Sequence, residues 1–292
     1  MSDVGKPYVW LTGAGGQLGT ALLRLYPDPD DFCWYPTVHR DLDLTNLQAV
    51  RSLLAARSPV VVVNCAAYTN VERAEEDRDR SYAVNADVPG WLTTLHDHVI
   101  HIGTDYVFDG LQNTAYIEGG GKENPISVYG LSKLKGERLA LAHGATVLRV
   151  SWLYGPTKWG NGGFYGKIRK QINDGARLCV VTDEVSCPTS TLTVARVIYR
   201  LIERYVVDGH WTQGVFHVTD LGEASRYDFA KEIARELGYE REVLPTFRAN
   251  FVTRAQRPAY SVLAKGCLSD EYPELFRPWR EALSEVIEVD SE

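Results

Sequence analysis

The chain holds 292 residues, 45% of them hydrophobic and 24% charged, a composition that excludes disordered and collagenous classes and allows roughly two folded domains. Its 38 acidic and 31 basic side chains leave a net charge of −7, which argues against nucleic acid or anionic lipid as a partner and makes any phosphate site local. Apolar runs such as 59–63 fall far short of the roughly 20 residues that span a bilayer, so no membrane crossing is expected.

A strand is predicted over 8–11, followed directly by Gly13-Ala14-Gly15-Gly16-Gln17-Leu18-Gly19 and a helix over 19–25. Glycines at a strand-to-helix turn permit a tight bend and a close backbone approach to a pyrophosphate, which the unpaired N–H groups of the helix N-terminus then bind. Counted on Gly13, Gly16 and Gly19 the spacing is G-x-x-G-x-x-G, with Gly15 as an extra glycine. The next strand, 32–38, ends at His39-Arg40-Asp41. Arg40 can make a forked pair with the 2′-phosphate of NADPH, while the neighbouring Asp41 leaves NADH open.

Helices over 47–56, 81–96 and 129–142 alternate with strands over 60–65, 99–103 and 146–150, the pattern of a doubly wound parallel α/β sheet of Rossmann type. The mixed-charge run 72–80 reads as a solvated helical face. Thr104 stands at the carboxyl end of a strand, where open parallel sheets bind ligands, and 111–125 reads as a mobile loop over that mouth. Tyr129 and Lys133 lie four residues apart on one predicted helix face. A nearby cation lowers a phenol's pKa by about 1–3 units, so this spacing predicts an acidified tyrosine able to protonate a carbonyl oxygen.

Beyond Trp152 the order changes. A glycine-rich loop at 160–163 leads to a helix over 164–174, and 178–182, 215–218 and a helix over 227–237 read as parts of a smaller lobe. The predicted division is a dinucleotide-binding domain over 1–150, with 190–214 packing back on it, and a substrate lobe over 151–189 and 215–292. Residues 1–6 lack a secretory pattern, so a cytoplasmic protein is expected. Cys33, Cys65, Cys179, Cys187 and Cys267 show no C-x-x-C spacing and read as core thiols rather than a zinc site or disulfide framework.

Taken together, 13–19, 41–45, 63–72, 104–110, 129–137, 149–155, 187–189 and 257–258 resemble the dTDP-4-dehydrorhamnose reductase family of extended short-chain reductases. The resemblance implies NADPH-dependent reduction of the C4 ketone of a nucleotide-linked 4-keto-6-deoxyhexose, with dTDP-4-dehydro-L-rhamnose the expected sugar. It further implies that Gly16, Gln17 and Leu18 contact the pyrophosphate, that Asp43 and Leu44 lie by the adenine, and that Ala66, Ala67, Tyr68 and Thr69 line the cofactor. Tyr129 then donates the proton, Lys133 also holds the nicotinamide ribose, Thr104 and Asp105 orient the sugar, and Trp152 lines its pocket. The chain departs from the family pattern at Gly103, Glu184, Ser186 and Val262. Ala21 stands where some relatives carry a glutamate of a metal-linked dimer, so no metal is expected and both monomer and homodimer stay open. Another nucleotide 4-ketosugar as substrate, or a non-catalytic nucleotide-binding regulatory subunit, are the alternatives. A dehydratase is disfavoured because Tyr106 occupies the place of its acid-base partner.

Overall fold

The computed structural model describes residues 5–292, so part of the opening stretch that bears on a secretory leader lies outside the described residues. Six strands, β1 (Tyr8–Thr12), β2 (Cys33–Thr37), β3 (Val61–Asn64), β4 (Val99–Thr104), β5 (Thr146–Val150) and β6 (Gly214–His217), form one sheet in the order β6-β5-β4-β3-β1-β2. Every neighbouring pair is parallel. β3 is the apolar run Val61-Val62-Val63 closed by Asn64 and is buried throughout, as a strand covered on both faces requires.

Eleven helices accompany the sheet among the described residues: α1 (Gln17–Leu25), α2 (Leu47–Arg57), α3 (Val71–Ala74), α4 (Arg78–Tyr82), α5 (Val88–Leu95), α6 (Val128–Leu141), α7 (Gly163–Asn173), α8 (Thr191–Asp208), α9 (Arg226–Glu236), α10 (Cys267–Glu271) and α11 (Trp279–Ser291). Because side chains alternate along a strand, Val9 and Leu11 face one layer, where Leu18, Ala21 and Leu22 of α1 meet Val194, Ile198 and Leu201 of α8. Trp10 faces the other, packed with Val50 of α2, Leu92 of α5 and Ala140 of α6. α8 starts where Ser190 accepts the Leu192 N–H at 3.1 Å. The second lobe has its own core of Tyr154, Tyr165, Ile168, Phe229, Trp279 and Leu283. α8 packs on α1 in the layer beside the main sheet.

Four expectations are corrected. The segment at 215–218, assigned from sequence to the smaller lobe, supplies β6, which pairs in parallel with β5; α8 carries the chain back across the sheet, and nothing in a short apolar run records which sheet it will join. The charged run 72–80 is not one solvated helix but two short ones, and Glu75 accepts the Val128 N–H at 2.9 Å while Glu72 pairs with Arg257 at 2.5 Å. The loop over 111–125 is tied down away from the mouth: Tyr116 bridges to Leu263, Glu118 accepts the His217 N–H at 2.6 Å and Glu123 meets Arg149 at 2.6 Å. Of the cysteines read as core, Cys187 is buried but Cys179 and Cys267 are exposed, the first on a short strand of the small lobe and the second opening α10.

Candidate active site

A single cleft of about 1110 Å³ runs from the glycine turn to Tyr129, between the sheet and the second lobe. It lies beyond the carboxyl ends of β1 and β3, where the strand order reverses, the place at which open α/β sheets bind ligands. Gly13 bends the chain there with φ +65°, and a Cβ on it would stand 2.6 Å from the Ala66 N, so no other residue fits. Gly16 is the N-cap of α1 without any side-chain cap, which leaves the first-turn N–H groups of α1 for a ligand. The Gln17 Oε1 at that helix end is buried with no partner. The glycine bend and the uncapped first turn of α1 fit a dinucleotide pyrophosphate.

Further along the wall, Ala66, Ala67, Tyr68 and Thr69 border the cleft, as do Asp43 and Leu44. The Asp43 carboxylate accepts from the Thr45 N and hydroxyl at 2.9 and 2.7 Å, and these bonds, with the charges of His39 and Arg80, hold it below the usual carboxylate range. Gly15 and Arg40 do not line the cleft. Gly15 abuts the Val38 side chain, and the Arg40 side chain is 87% exposed and pairs with Asp41 at 3.5 Å. His39 and Arg80 border the cavity instead. Arg80 could not be found by counting from the glycines, because it arrives from α4, a separate crossing of the chain.

At the other end Thr104, Asp105, Tyr129, Lys133 and Trp152 all border the same cleft. The Thr104 hydroxyl accepts the Tyr106 N–H at 3.2 Å and donates to Asp105 Oδ1 at 3.3 Å, and it lies close enough to the Tyr129 phenol to oppose the rise of that group's pKa. The predicted acidification of Tyr129 by Lys133 is not found. Desolvation dominates and, with the charges of Asp105 and Tyr106, raises the phenol well above its ordinary value. Lys133 does share the α6 face, but its Nζ is turned beneath the sheet end, donating to the Ile102 carbonyl at 2.5 Å and standing 3.3 Å from His101 Nε2.

Asp105 is 2% exposed, and its Oδ2 accepts from Ser151, Ser186 and Ser261 at 3.3, 3.2 and 2.5 Å. A carboxylate so occupied ties three loops together behind the pocket rather than reaching for a sugar. Burial raises its pKa, the three hydroxyls opposing that rise. The departure at Ser186 is thereby explained as part of this knot. Gly103 has a reason too: a Cβ there would stand 3.1 Å from Arg149 Cγ and 3.3 Å from Glu137 Oε2, and the pair of Arg149 with Glu137, both 2% exposed, fills the space.

Sequence reasoning missed two further residues. Asn85 sits in a π-helical turn, Ala83–Asp87, between α4 and α5; its amide accepts from the Tyr68 N at 2.8 Å and donates to Ser132 Oγ at 3.0 Å, joining the cofactor wall to α6. Such a bulge is a common functional device, yet it leaves no mark in a sequence. Arg226, the first residue of α9, lies 3.6 Å over the Trp152 ring and 4.8 Å over Phe164, with Glu184 at 3.8 Å. Trp152 is one of the few non-glycine residues with positive φ, +43°, so its backbone is held in a costly conformation that aims the indole at Arg226.

A glycine turn at the switch point of a parallel sheet, with a Thr-Tyr-Lys set at the far end of one cleft, defines a dinucleotide-dependent reductase of the short-chain type. The chain belongs to the RmlD substrate binding domain family, which matches residues 8–291. It is similar to a probable dTDP-4,6-dihydroxy-2-methyloxan-3-one 4-ketoreductase of Streptomyces antibioticus, 38% identical over 95% of this chain and 94% of that one. A dTDP-4-dehydrorhamnose reductase of Clostridium acetobutylicum is 34% identical with a TM-score of 0.88, covering 98% of this chain and 100% of its own. Another, from Bacillus anthracis and solved in complex with NADP, is 31% identical with a TM-score of 0.87 over 97% and 99%.

Proposed function

We propose that this chain is an NADPH-dependent reductase of the C4 ketone of a dTDP-linked 4-keto-6-deoxyhexose, with dTDP-4-dehydro-L-rhamnose as substrate and dTDP-L-rhamnose as product. The observation that carries the reading is that one cleft joins the glycine turn to the Thr104–Tyr129 pair. The first turn of α1 would hold the pyrophosphate, His39 and Arg80 the adenosine phosphate, Ala66 to Thr69 would form the wall, and Lys133, once released from the Ile102 carbonyl, would hold the ribose nearest the ketone. When bound, NADPH supplies the hydride that adds to the carbonyl carbon.

The remaining chemistry belongs to the protein. The Tyr129 hydroxyl gives its proton to the ketone oxygen, and Thr104 holds that oxygen and the phenol in one hydrogen-bonded set. The raised phenol pKa keeps the proton on Tyr129 throughout the neutral range, at the cost of driving force for its transfer. Asp105 acts as a positioning residue, locking the strand end from which Thr104 projects. Trp152 and Arg226 wall the sugar side, and the guanidinium stacked there offers charge to the diphosphate of the nucleotide. A cytoplasmic location belongs to the same reading.

A different dTDP-4-ketosugar is the second reading, favoured by the 38% identity to the Streptomyces antibioticus relative. A panel of dTDP-4-keto-6-deoxysugars, assayed by NADPH consumption with the product identified by NMR, decides between them. Consumption confined to sugars other than the rhamnose precursor establishes the second reading; none with any sugar overturns both.

A further inference from the structure

Beneath the cleft, Thr12 of β1, Asn64 of β3 and His101 of β4 are register partners on adjacent strands, Thr12 opposite Asn64 and Asn64 opposite His101. They form one polar row in an otherwise apolar layer, and Thr12, Asn64 and His101 are at most 1% exposed. The row ends at Lys133, whose Nζ lies 3.3 Å from His101 Nε2. Its hydrogen-bond directions can be assigned from one fixed donor. The backbone N–H of Ala66 can only donate, and it points to Asn64 Oδ1 at 3.3 Å, where the Thr12 hydroxyl also donates at 2.7 Å. The other end of that amide, the NH2 group, therefore faces His101 Nδ1 at 3.1 Å. A ring nitrogen that accepts carries no proton, so the proton of a neutral imidazole sits on Nε2. That N–H is aimed at the lysine nitrogen. An ammonium has no lone pair to receive it; an amine has one, and can still donate to the Ile102 carbonyl at 2.5 Å.

We propose that Asn64 locks His101 in its Nε2–H tautomer and that His101 thereby holds Lys133 as an uncharged amine, parked on the Ile102 carbonyl, while no dinucleotide is bound. The inference rests on Lys133 belonging to the reductase site. The groups facing Lys133 agree with it. His101 is uncharged, its pKa taken well below the ordinary value first of all by burial. Cys65, on the adjoining turn, is a thiol pushed up to about 12 by burial and supplies no anion. Glu137, one turn along α6, favours the ammonium, but its carboxylate is already paired with Arg149. Burial brings Lys133 down to about 8 against that help, which by itself leaves the ammonium in the majority at neutral pH, and it is the His101 N–H facing the lysine nitrogen that tips the balance to the amine. Protonating Lys133 in place would require the ring to shift its proton to Nδ1 and the Asn64 amide to turn over, which leaves the Ala66 N–H facing an NH2 group. Ala66 borders the cofactor cleft, so the charge on Lys133 is coupled to the wall that the dinucleotide touches. The same arrangement explains why Lys133 contributes nothing to the acidity of Tyr129 in this state.

The test is the tautomer. In full-length protein with 15N-labelled histidine and no dinucleotide, two-bond 1H–15N spectra read which ring nitrogen is bare, with the His101 signal assigned by its loss in His101→Gln. A bare Nδ1 and protonated Nε2 between about pH 6 and 9, a range spanning the ordinary histidine pKa, is the result expected; a protonated Nδ1, alone or with Nε2, overturns the proposal. Neither outcome depends on which sugar is reduced. In Asn64→Asp the carboxylate accepts from Nδ1–H, which frees Nε2 to accept from an ammonium. The bare nitrogen then becomes Nε2, and the alkaline limb of kcat/KM, which reports free enzyme, moves to higher pH by about 1 unit or more. A switched tautomer with an unmoved limb also overturns it.

Discussion

Replacing Tyr129 by Phe removes one hydroxyl and keeps the ring, which stands edge-on to Tyr106 at 5.4 Å and 80°. The Thr104 hydroxyl keeps its bonds to Asp105 Oδ1 at 3.3 Å and the Tyr106 N at 3.2 Å, so no buried group is orphaned and folding stability falls by only about 1 kcal/mol. Turnover is another matter. A positioned acid contributes about 10²- to 10⁴-fold, about 2.7–5.4 kcal/mol in the barrier, and among the groups around Tyr129 neither the hydroxyl of Thr104 nor the carboxylate of Asp105 is free to take its place. We expect Tyr129→Phe to lower kcat by at least about 10²-fold with NADPH affinity within a factor of about two, since that affinity arises along the whole length of the cleft. Cofactor binding is followed by fluorescence titration and turnover by NADPH consumption with the ketosugar. Because burial raises the phenol, the wild-type profile should carry no limb from tyrosinate below about pH 10. Turnover within tenfold of wild type would refute the assigned role.

Other expectations follow from charges elsewhere. Glu137→Met leaves the buried Arg149 with Glu123 alone; a broken buried pair costs about 3 kcal/mol at the low end, or about 5 °C in Tm for a chain of this length, and adding Arg149→Met should recover most of it. Calorimetry checks this, and a double variant no more stable than the single one would count against the pairing. Arg80→Ser should weaken NADPH binding about tenfold, the scale of one charge-assisted contact at a partly exposed site, and leave NADH binding unchanged; an equal loss for both would move the phosphate elsewhere. Asp220, buried and accepting from the Ser190 N and Thr193 hydroxyl, has its pKa raised to about 7 by burial. The folded state thus keeps a proton the unfolded chain has lost, so this group makes stability fall as pH rises between about 4 and 7. His217, lowered to about 4 by burial, acts in the opposite sense over most of that window. Asp220→Asn should therefore steepen the rise of stability with pH between about 4 and 6.5 by about 1.4 kcal/mol per unit, read by urea unfolding at several pH values; an unchanged slope would show that Asp220 titrates normally.

The parts of the fold that the sequence displays are those set by local rules. β1, the glycine turn and α1 lie next to one another in the chain, and apolar runs such as 61–63 announce buried strands by composition alone. Tyr129 and Lys133 are likewise brought to one cleft by a single helix. What stayed hidden depends on segments meeting from afar. Arg80, and not Arg40, borders the cleft because α4 crosses there. The phenol is raised rather than lowered because burial desolvates it, while the lysine, four residues on, finds a carbonyl and an imidazole from β4. Asp105, matched to a sugar contact by its place in a motif, is claimed by serines as distant as 151, 186 and 261.

The last strand of the main sheet comes from residues 214–217, long after the chain has left that domain. A ribosome must therefore release most of the polypeptide before β5 gains its outer neighbour, and until then one flank of the nucleotide half offers bare amides and carbonyls to other chains. A fragment ended at residue 150 would retain that open flank permanently. Maturation of the two halves is thus a joint event, and the half that binds the dinucleotide cannot be closed off without the half that greets the sugar.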